Sequence, residues 1–146
     1  MKASIDNIQD EIISEFEILG EDKESTIFYI MELGQKLPEL DPDLKVAENE
    51  VKGCQSKVWL VSKTEDDKLY FDADSNTEIT KGLISLLIRI LSGQHINDIL
   101  NAELYFIDKI GMRNVIGSQR SNGFAAMIKQ MKLYALAYKT KMTNQN

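Results

Sequence analysis

The stretch KVWLVSKTEDDKLYFDADSNTEITKGLISLLIRIL, residues 57–91, changes its hydrophobic period once, and that change sets the fold class. From Lys57 to Lys63, Val58, Leu60 and Ser62 alternate with Trp59, Val61 and Lys63, the period of two with which a strand addresses two faces. Lys68 to Asp72 is extended again, and the acidic, turn-forming Thr64-Glu65-Asp66-Asp67 between the two segments predicts a hairpin. Ser75-Asn76-Thr77-Glu78 then reads as a capping box, in which a hydroxyl and a carboxylate three residues apart satisfy the free amides of a helix start. Behind it Glu78 to Leu91 is apolar nearly all round, the pattern of a helix buried on every side.

Upstream, Ser4 is a good N-cap for Ile5, Ile8, Ile12, Phe16 and Leu19, which recur at helical spacing until Gly20. A second helix is expected from about Asp22 to Lys36, with Ile27, Phe28, Ile30, Met31 and Leu33 on its apolar side, ending where Leu37-Pro38 forbids continuation. Residues 37–49 hold both prolines and little periodicity, so they read as a fixed loop, followed by a short strand around Glu50 to Lys52. Downstream come short helices near Ile96 to Leu100 and Glu103 to Ile110, and a long one from about Ser121 to Tyr138. Its stripe of Phe124, Met127, Ile128, Met131 and Tyr134 reads as core packing. The sum is a single α+β domain over residues 1–146, an antiparallel sheet of about three strands covered by helices on one face, with 139–146 expected to be a frayed tail.

Composition narrows the function classes. A chain of 146 residues, 43% hydrophobic and 27% charged, can bury a core without a staple. One cysteine, Cys54, excludes an internal disulfide, a cysteine-rich zinc site and a thiolate-held cluster; one histidine, His95, excludes a histidine cage, and no metal or cofactor site is expected. The net charge of −6 argues against a nucleic-acid or anionic-membrane binder. The charge is uneven: residues 1–108 hold all 23 acids and 10 of the 17 basic residues, a balance of −13, while 109–146 hold 7 basic residues and no acid. Either the basic helix pairs with acidic faces of its own domain, or the surface is bipolar and steers a charged partner. Eight acids in the first two dozen residues are unlike a signal peptide, and Gly82 to Leu91 is too short for a bilayer span, so a cytoplasmic protein with a free thiol is expected.

Asn49-Glu50-Val51-Lys52-Gly53-Cys54-Gln55-Ser56-Lys57-Val58-Trp59 places that thiol in a turn, after a glycine and before two small polar residues. Two readings stand side by side. The sulfur is presented at a loop tip, with Lys52, Lys57 or turn amides favouring the thiolate, or it is a small buried hydrophobe. Gly53, Gln55 and Ser56 let the turn swing, and Val51, Val58 and Trp59 offer a pocket to receive the sulfur, whose burial is expected to raise its pKa. Trp59 is expected in the core, Asp74 as a helix N-terminal acid and His95 as a loop residue. Gly117 and Gly123 form no nucleotide loop, since no Lys-Ser or Lys-Thr and no strand accompany them.

These residues resemble the SufE family of sulfur acceptors. Val51-Lys52-Gly53-Cys54-Gln55-Ser56-Lys57-Val58-Trp59 is similar to the family's signature, Glu32-Leu33-Gly34-Gln35-Lys36-Leu37-Pro38 to its segment ahead of the sheet, Asp74-Ser75 with Lys81-Gly82-Leu83-Ile84 to its central helix start, and Arg120-Ser121-Asn122-Gly123 with Met127 to its last block. Ser118 stands where the family commonly has a proline, and could cap the helix there. The resemblance implies a SufE/IscU-like fold and a sulfur-transfer accessory protein without a cofactor of its own. It would stimulate a cysteine desulfurase, a pyridoxal-phosphate enzyme, take its sulfur as a persulfide on Cys54 and pass it to an iron-sulfur cluster scaffold. Gly53, Gln55 and Ser56 would support the acceptor loop, and Arg120 would contact the partner or that loop. The alternatives are a single-cysteine redox enzyme or sensor working through sulfenic acid, though no resolving cysteine is present, and a purely structural activator.

Overall fold

The computed structural model describes residues 2–144. α1 (Ile5–Ile18) starts where Ser4 accepts a hydrogen bond from the Asn7 amide at 3.1 Å, and it buries Ile5, Ile8, Ile12 and Phe16, the expected stripe. α2 (Lys23–Gln35) is capped by Asp22, which accepts from the Glu24 amide. Its buried face differs from the one expected: Thr26, Ile30 and Gly34 are buried, and Phe28 is 64% exposed. The reason lies in the partner helix, α3 (Glu78–Leu91). A Cβ on Gly34 would overlap the Glu78 carbonyl and one on Gly82 the Ile30 carbonyl, so two glycines let the backbones nearly touch and fix which face of α2 turns inward.

The hairpin forms as expected from β1 (Val58–Glu65) and β2 (Lys68–Ser75), in register Val58 with Ser75 and Glu65 with Lys68, across a two-residue turn in which Asp66 takes φ 59°. The third strand is not the one expected. Glu50 makes a single bridge to Trp59, after which Gly53 at φ 94° turns the chain away; the third strand is β3 (Gln94–His95), on the other side of β2. β1 is thus an edge, and its outward carbonyls are closed one by one: Val58 accepts from the Val51 amide at 2.8 Å, Leu60 from the Tyr134 hydroxyl at 3.1 Å and Ser62 from the Tyr138 hydroxyl at 3.4 Å.

His95 is no free loop residue. It caps α4 (Ile96–Asn101) by accepting at Nδ1 from the Asn97 amide, and its Nε2 lies 2.9 Å from Asp67. α5 (Phe106–Ile110) is anchored by the buried Gln9, whose amide group donates to the Glu103 carbonyl and accepts from the Phe106 amide. α6 (Met112–Asn144) is broken at Gly117 (φ 84°, ψ 171°) and buries Phe124, Met127, Met131 and Ala135 in the shared core, where it packs against α4, α3 and α5. It stays helical through Asn144, so the tail expected over 139–146 is helix up to that residue; residues 145 and 146 lie outside the described residues. The architecture is α+β, three antiparallel strands with helices packed on one face.

The capping box is replaced by something else. Ser75 still belongs to β2 and donates to the Lys57 carbonyl at 2.7 Å, while Thr77, the N-cap of α3, makes no side-chain cap bond. Asp74 is likewise a strand residue, 1% exposed, and holds four donors at once. Lys45 lies at 3.0 Å, Lys81 at 3.5 Å, and the amides of Leu40 and Ser75 at 3.2 and 2.8 Å. Trp59 is half-buried rather than core, lying under Lys45 with the ammonium 5.7 Å from its ring centre.

Candidate functional site

Cys54 sits on the loop between the Glu50 bridge and β1, and the two ends of that loop are fixed differently from its tip. At the far end the Lys57 amide donates to Asn76 Oδ1 at 3.1 Å, and the Lys57 carbonyl accepts from the Ser75 hydroxyl and the Asn76 amide. At the near end the Val51 amide is bonded to Val58. At the tip, Gly53 approaches Ala126 of α6 so closely that a Cβ on it would lie 3.3 Å from the alanine methyl, and its positive φ suits glycine. Residues 52–55 are therefore a short span slung between two fixed points and resting on α6.

The sulfur rests on α6 as well. Cys54 Sγ donates to the Gly123 carbonyl at 3.4 Å, and the loop lies so close to Gly123 that a Cβ there would already be in contact with Sγ, at 3.4 Å, so a side chain longer than a methyl would crowd the thiol. The pocket expected from Val51, Val58 and Trp59 is not the one used: Val51 and Val58 are in the core, and the thiol opens instead on a cleft of about 450 Å³ between α3 and α6. Ile79, Leu83, Ile116 and Met127 give its apolar wall, Ser56, Thr77, Thr80 and Ser118 its hydroxyls, and Arg120 its one charge. Gln55 also lines the cleft and is exposed, Gly53 is the tip glycine, and Arg120 bonds through Nη1 to the Ile116 carbonyl at 3.3 Å. Each residue expected at the site, Gly53, Cys54, Gln55, Ser56 and Arg120, thus lies at the loop or the cleft.

Burial pushes the Cys54 thiol above its ordinary pKa. The lysines expected to oppose this do not: Lys52 and Lys57 are well exposed and turn toward Glu50, at 4.0 and 3.6 Å. A carbonyl acceptor acts in the same sense as burial, since it binds S–H and repels the thiolate. In this position the loop holds a protonated, weakly nucleophilic sulfur.

The family model described as "SufE: Fe-S metabolism associated domain" matches residues 10–135. The chain belongs to the SufE family. An uncharacterised SufE-like protein of Rhizobium meliloti strain 1021 is 38% identical over 128 residues, covering 84% of this chain and 91% of that one. SufE-like protein 1 of Arabidopsis thaliana, chloroplastic/mitochondrial, is 34% identical over 135 residues, 90% of this chain and 35% of the plant protein. The solution structure of a hypothetical protein from Thermus thermophilus shares the fold, with TM-score 0.74 at 18% identity over 91% of this chain and 96% of that one. Membership of the SufE family places this chain in iron-sulfur metabolism. Among the described residues no helix is long and apolar enough to cross a membrane, and no three His, Cys, Asp or Glu side chains group as metal ligands.

Two features of this SufE-family site escaped the sequence reading. The Gly123 seat was within reach as part of the Arg120 block, but its contact with Cys54 spans 69 residues of chain. The hydroxyls of Thr77 and Thr80 had a local signal, two threonines three apart at a helix start, which the capping-box reading overrode.

Proposed function

We propose that this single-domain chain is the sulfur acceptor and activator of a cysteine desulfurase, carrying sulfur as a persulfide on Cys54 to an iron-sulfur cluster scaffold. The observation that supports it most is a lone thiol closed onto α6 beside a cleft of about 450 Å³, in a chain of the SufE family. A partner that lifts residues 52–55 off α6 frees the sulfur to ionise. The Cys54 thiolate then attacks the outer sulfur of the enzyme's persulfide, the sulfur–sulfur bond to the enzyme breaks, and the enzyme's cysteine leaves as a thiolate that takes up the proton Cys54 lost. Oxidation states balance without an outside oxidant. Closing the loaded loop carries the new sulfur into the cleft, away from solvent thiols.

Arg120, at the lip of the cleft, is assigned a contact to the partner, and Gly53 and Gln55 the adaptability of the tip. Encounter is aided by charge. Among the described residues α6 makes one ion pair, Arg113 with Asp108 at 3.8 Å; Lys132 is half-buried and donates to the Ala102 carbonyl, while Arg113, Arg120, Lys129, Lys139 and Lys141 are exposed and available to a charged partner. The working compartment is taken to be a reducing one such as the cytoplasm. Incubation with a cysteine desulfurase and cysteine, followed by intact mass and peptide mapping, tests the reading: one added sulfur on Cys54 is expected. Added oxygen would indicate the redox alternative, and an unchanged mass with a stimulated enzyme a purely structural activator.

A further inference from the structure

Three hydroxyls at the wall of the cleft tie the Cys54 loop to α3. Ser56 Oγ lies 3.2 Å from Thr77 Oγ1, Thr77 Oγ1 donates to Thr80 Oγ1 at 2.7 Å, and Thr80 Oγ1 donates to Ser56 Oγ at 3.4 Å, which closes a ring joining the Cys54 loop to α3. The ring is unequal. Thr80 receives the shortest bond and gives the longest, so its proton is the most weakly held, while the bond from Thr77 polarises its O–H. Turning that hydroxyl toward the cleft gives up only the weakest bond of the three.

We propose that Thr80, backed by Thr77 and Ser56, donates a hydrogen bond to the terminal sulfur of the Cys54 persulfide and holds it in the cleft as the anion. The inference rests on the acceptor reading above. A persulfide extends the side chain by one sulfur, about 2.0 Å beyond Sγ. The Gly123 carbonyl that accepts the resting S–H has nothing to offer an anion, so the terminal sulfur must find a donor elsewhere. On the α3 side of the cleft the donors are the Thr77 and Thr80 hydroxyls, with Ile79 and Leu83 apolar between them; on the α6 side the donors are Ser118, Gln119 and the one charged group, Arg120, all three exposed to water, with Ile116 and Met127 apolar. From the loop, Lys52 and Lys57 turn away to Glu50. Thr80 is 5% exposed, so a bond it gives is shielded from competition by water. A neutral ring also closes on itself when the cleft is empty, leaving no unpaired charge in the resting protein. Thr80 is thus a positioning residue that becomes a sulfur ligand on loading.

The test uses the whole chain loaded with inorganic tetrasulfide. The Cys54 thiolate attacks an outer sulfur, forms the Cys54 persulfide anion and expels trisulfide, so neither oxidant nor desulfurase is needed. After removal of excess reagent, alkylation of the terminal sulfur by iodoacetamide is followed against pH in wild type, Thr80→Val, Thr80→Ser and Thr77→Val. The isosteric Thr80→Val should move the midpoint up by about one pH unit, the scale of one hydrogen bond to a charged acceptor. Thr80→Ser should restore the wild-type midpoint. Thr77→Val, which keeps the Thr80 hydroxyl but removes its donor, should shift it upward by less, and it carries the test alone if Thr80→Val does not fold. Loaded variants whose midpoints equal the wild type's overturn the inference and leave the acceptor reading intact. A wild-type chain that takes up no sulfur at Cys54 overturns both.

Discussion

Replacing Asp74 by Asn should destabilise the protein by about 3 kcal/mol at neutral pH, because the carboxylate is the one acceptor for four donors in a place that is 1% exposed. Removing one partner of a buried ion pair costs roughly 3–5 kcal/mol, and the low end applies here since Lys45 and Lys81 keep 31% and 27% of their surface in water and can be rehydrated. An asparagine oxygen can still accept from one amide, but its NH₂ faces the remaining donors. For a domain of this size the loss corresponds to a melting point lower by about 9 °C. The pH dependence identifies the cause. Burial alone would raise the Asp74 pKa, yet the hydrogen bond from Lys45, the amides of Leu40 and Ser75 and the charge of Lys81 together hold it below the ordinary range. A carboxylate depressed on folding contributes its stability above the unfolded value of about 3.9, and that contribution disappears as pH falls through the lower folded value. Urea melts of wild type and variant should therefore stay apart by a constant gap from pH 7 to about pH 5, and the gap should narrow progressively as pH falls below about 4. A gap under about 0.5 kcal/mol at pH 7, or one unchanged at the lowest pH at which both still fold, would refute the role given to Asp74.

Gly82→Ala should destabilise by about 2 kcal/mol or more despite the better helix propensity of alanine, because the new methyl overlaps the Ile30 carbonyl; equal or higher stability in urea melts would remove the close α2–α3 approach from the account. Alkylation of Cys54 in the free protein should be slow and have its midpoint above the roughly 8.5 of an ordinary thiol, and Gly123→Leu, which fills the seat, should speed it at neutral pH; free-cysteine kinetics in the wild type would contradict the closed loop. Stimulation of a desulfurase should weaken as ionic strength rises and the Debye length falls to about 10 Å or less; a flat response would show that the outward charges of α6 do not steer encounter.

The parts of the fold that periodicity could reach were those in which a long run repeats one period: the α1 stripe, the hairpin, the largely apolar α3 and the buried stripe of α6. What it could not reach was decided by single contacts between distant segments. A strand of two residues, Gln94–His95, has no period to read. The inward face of α2 is set by Gly34 meeting a glycine-bearing α3, so bulky Phe28, the natural guess for an apolar face, points out. Ser75 looked like a cap because the capping pattern ignores where a strand ends, and β2 runs on through it. At the site, Cys54 and its loop could be read from local chemistry, whereas the seat on Gly123 and the cleft between α3 and α6 exist only after the helices pack.

Transfer from a preloaded desulfurase tests the central claim most directly. A desulfurase charged with radiolabelled sulfur and freed of cysteine is mixed with the wild-type chain or with Cys54→Ser, and label on each protein is followed under non-reducing conditions. The account predicts that label moves to the wild-type chain in one-to-one amount, is lost on reduction, and does not move to the folded Cys54→Ser variant. Label that stays on the desulfurase in the presence of wild type, or that reaches Cys54→Ser equally well, would contradict it.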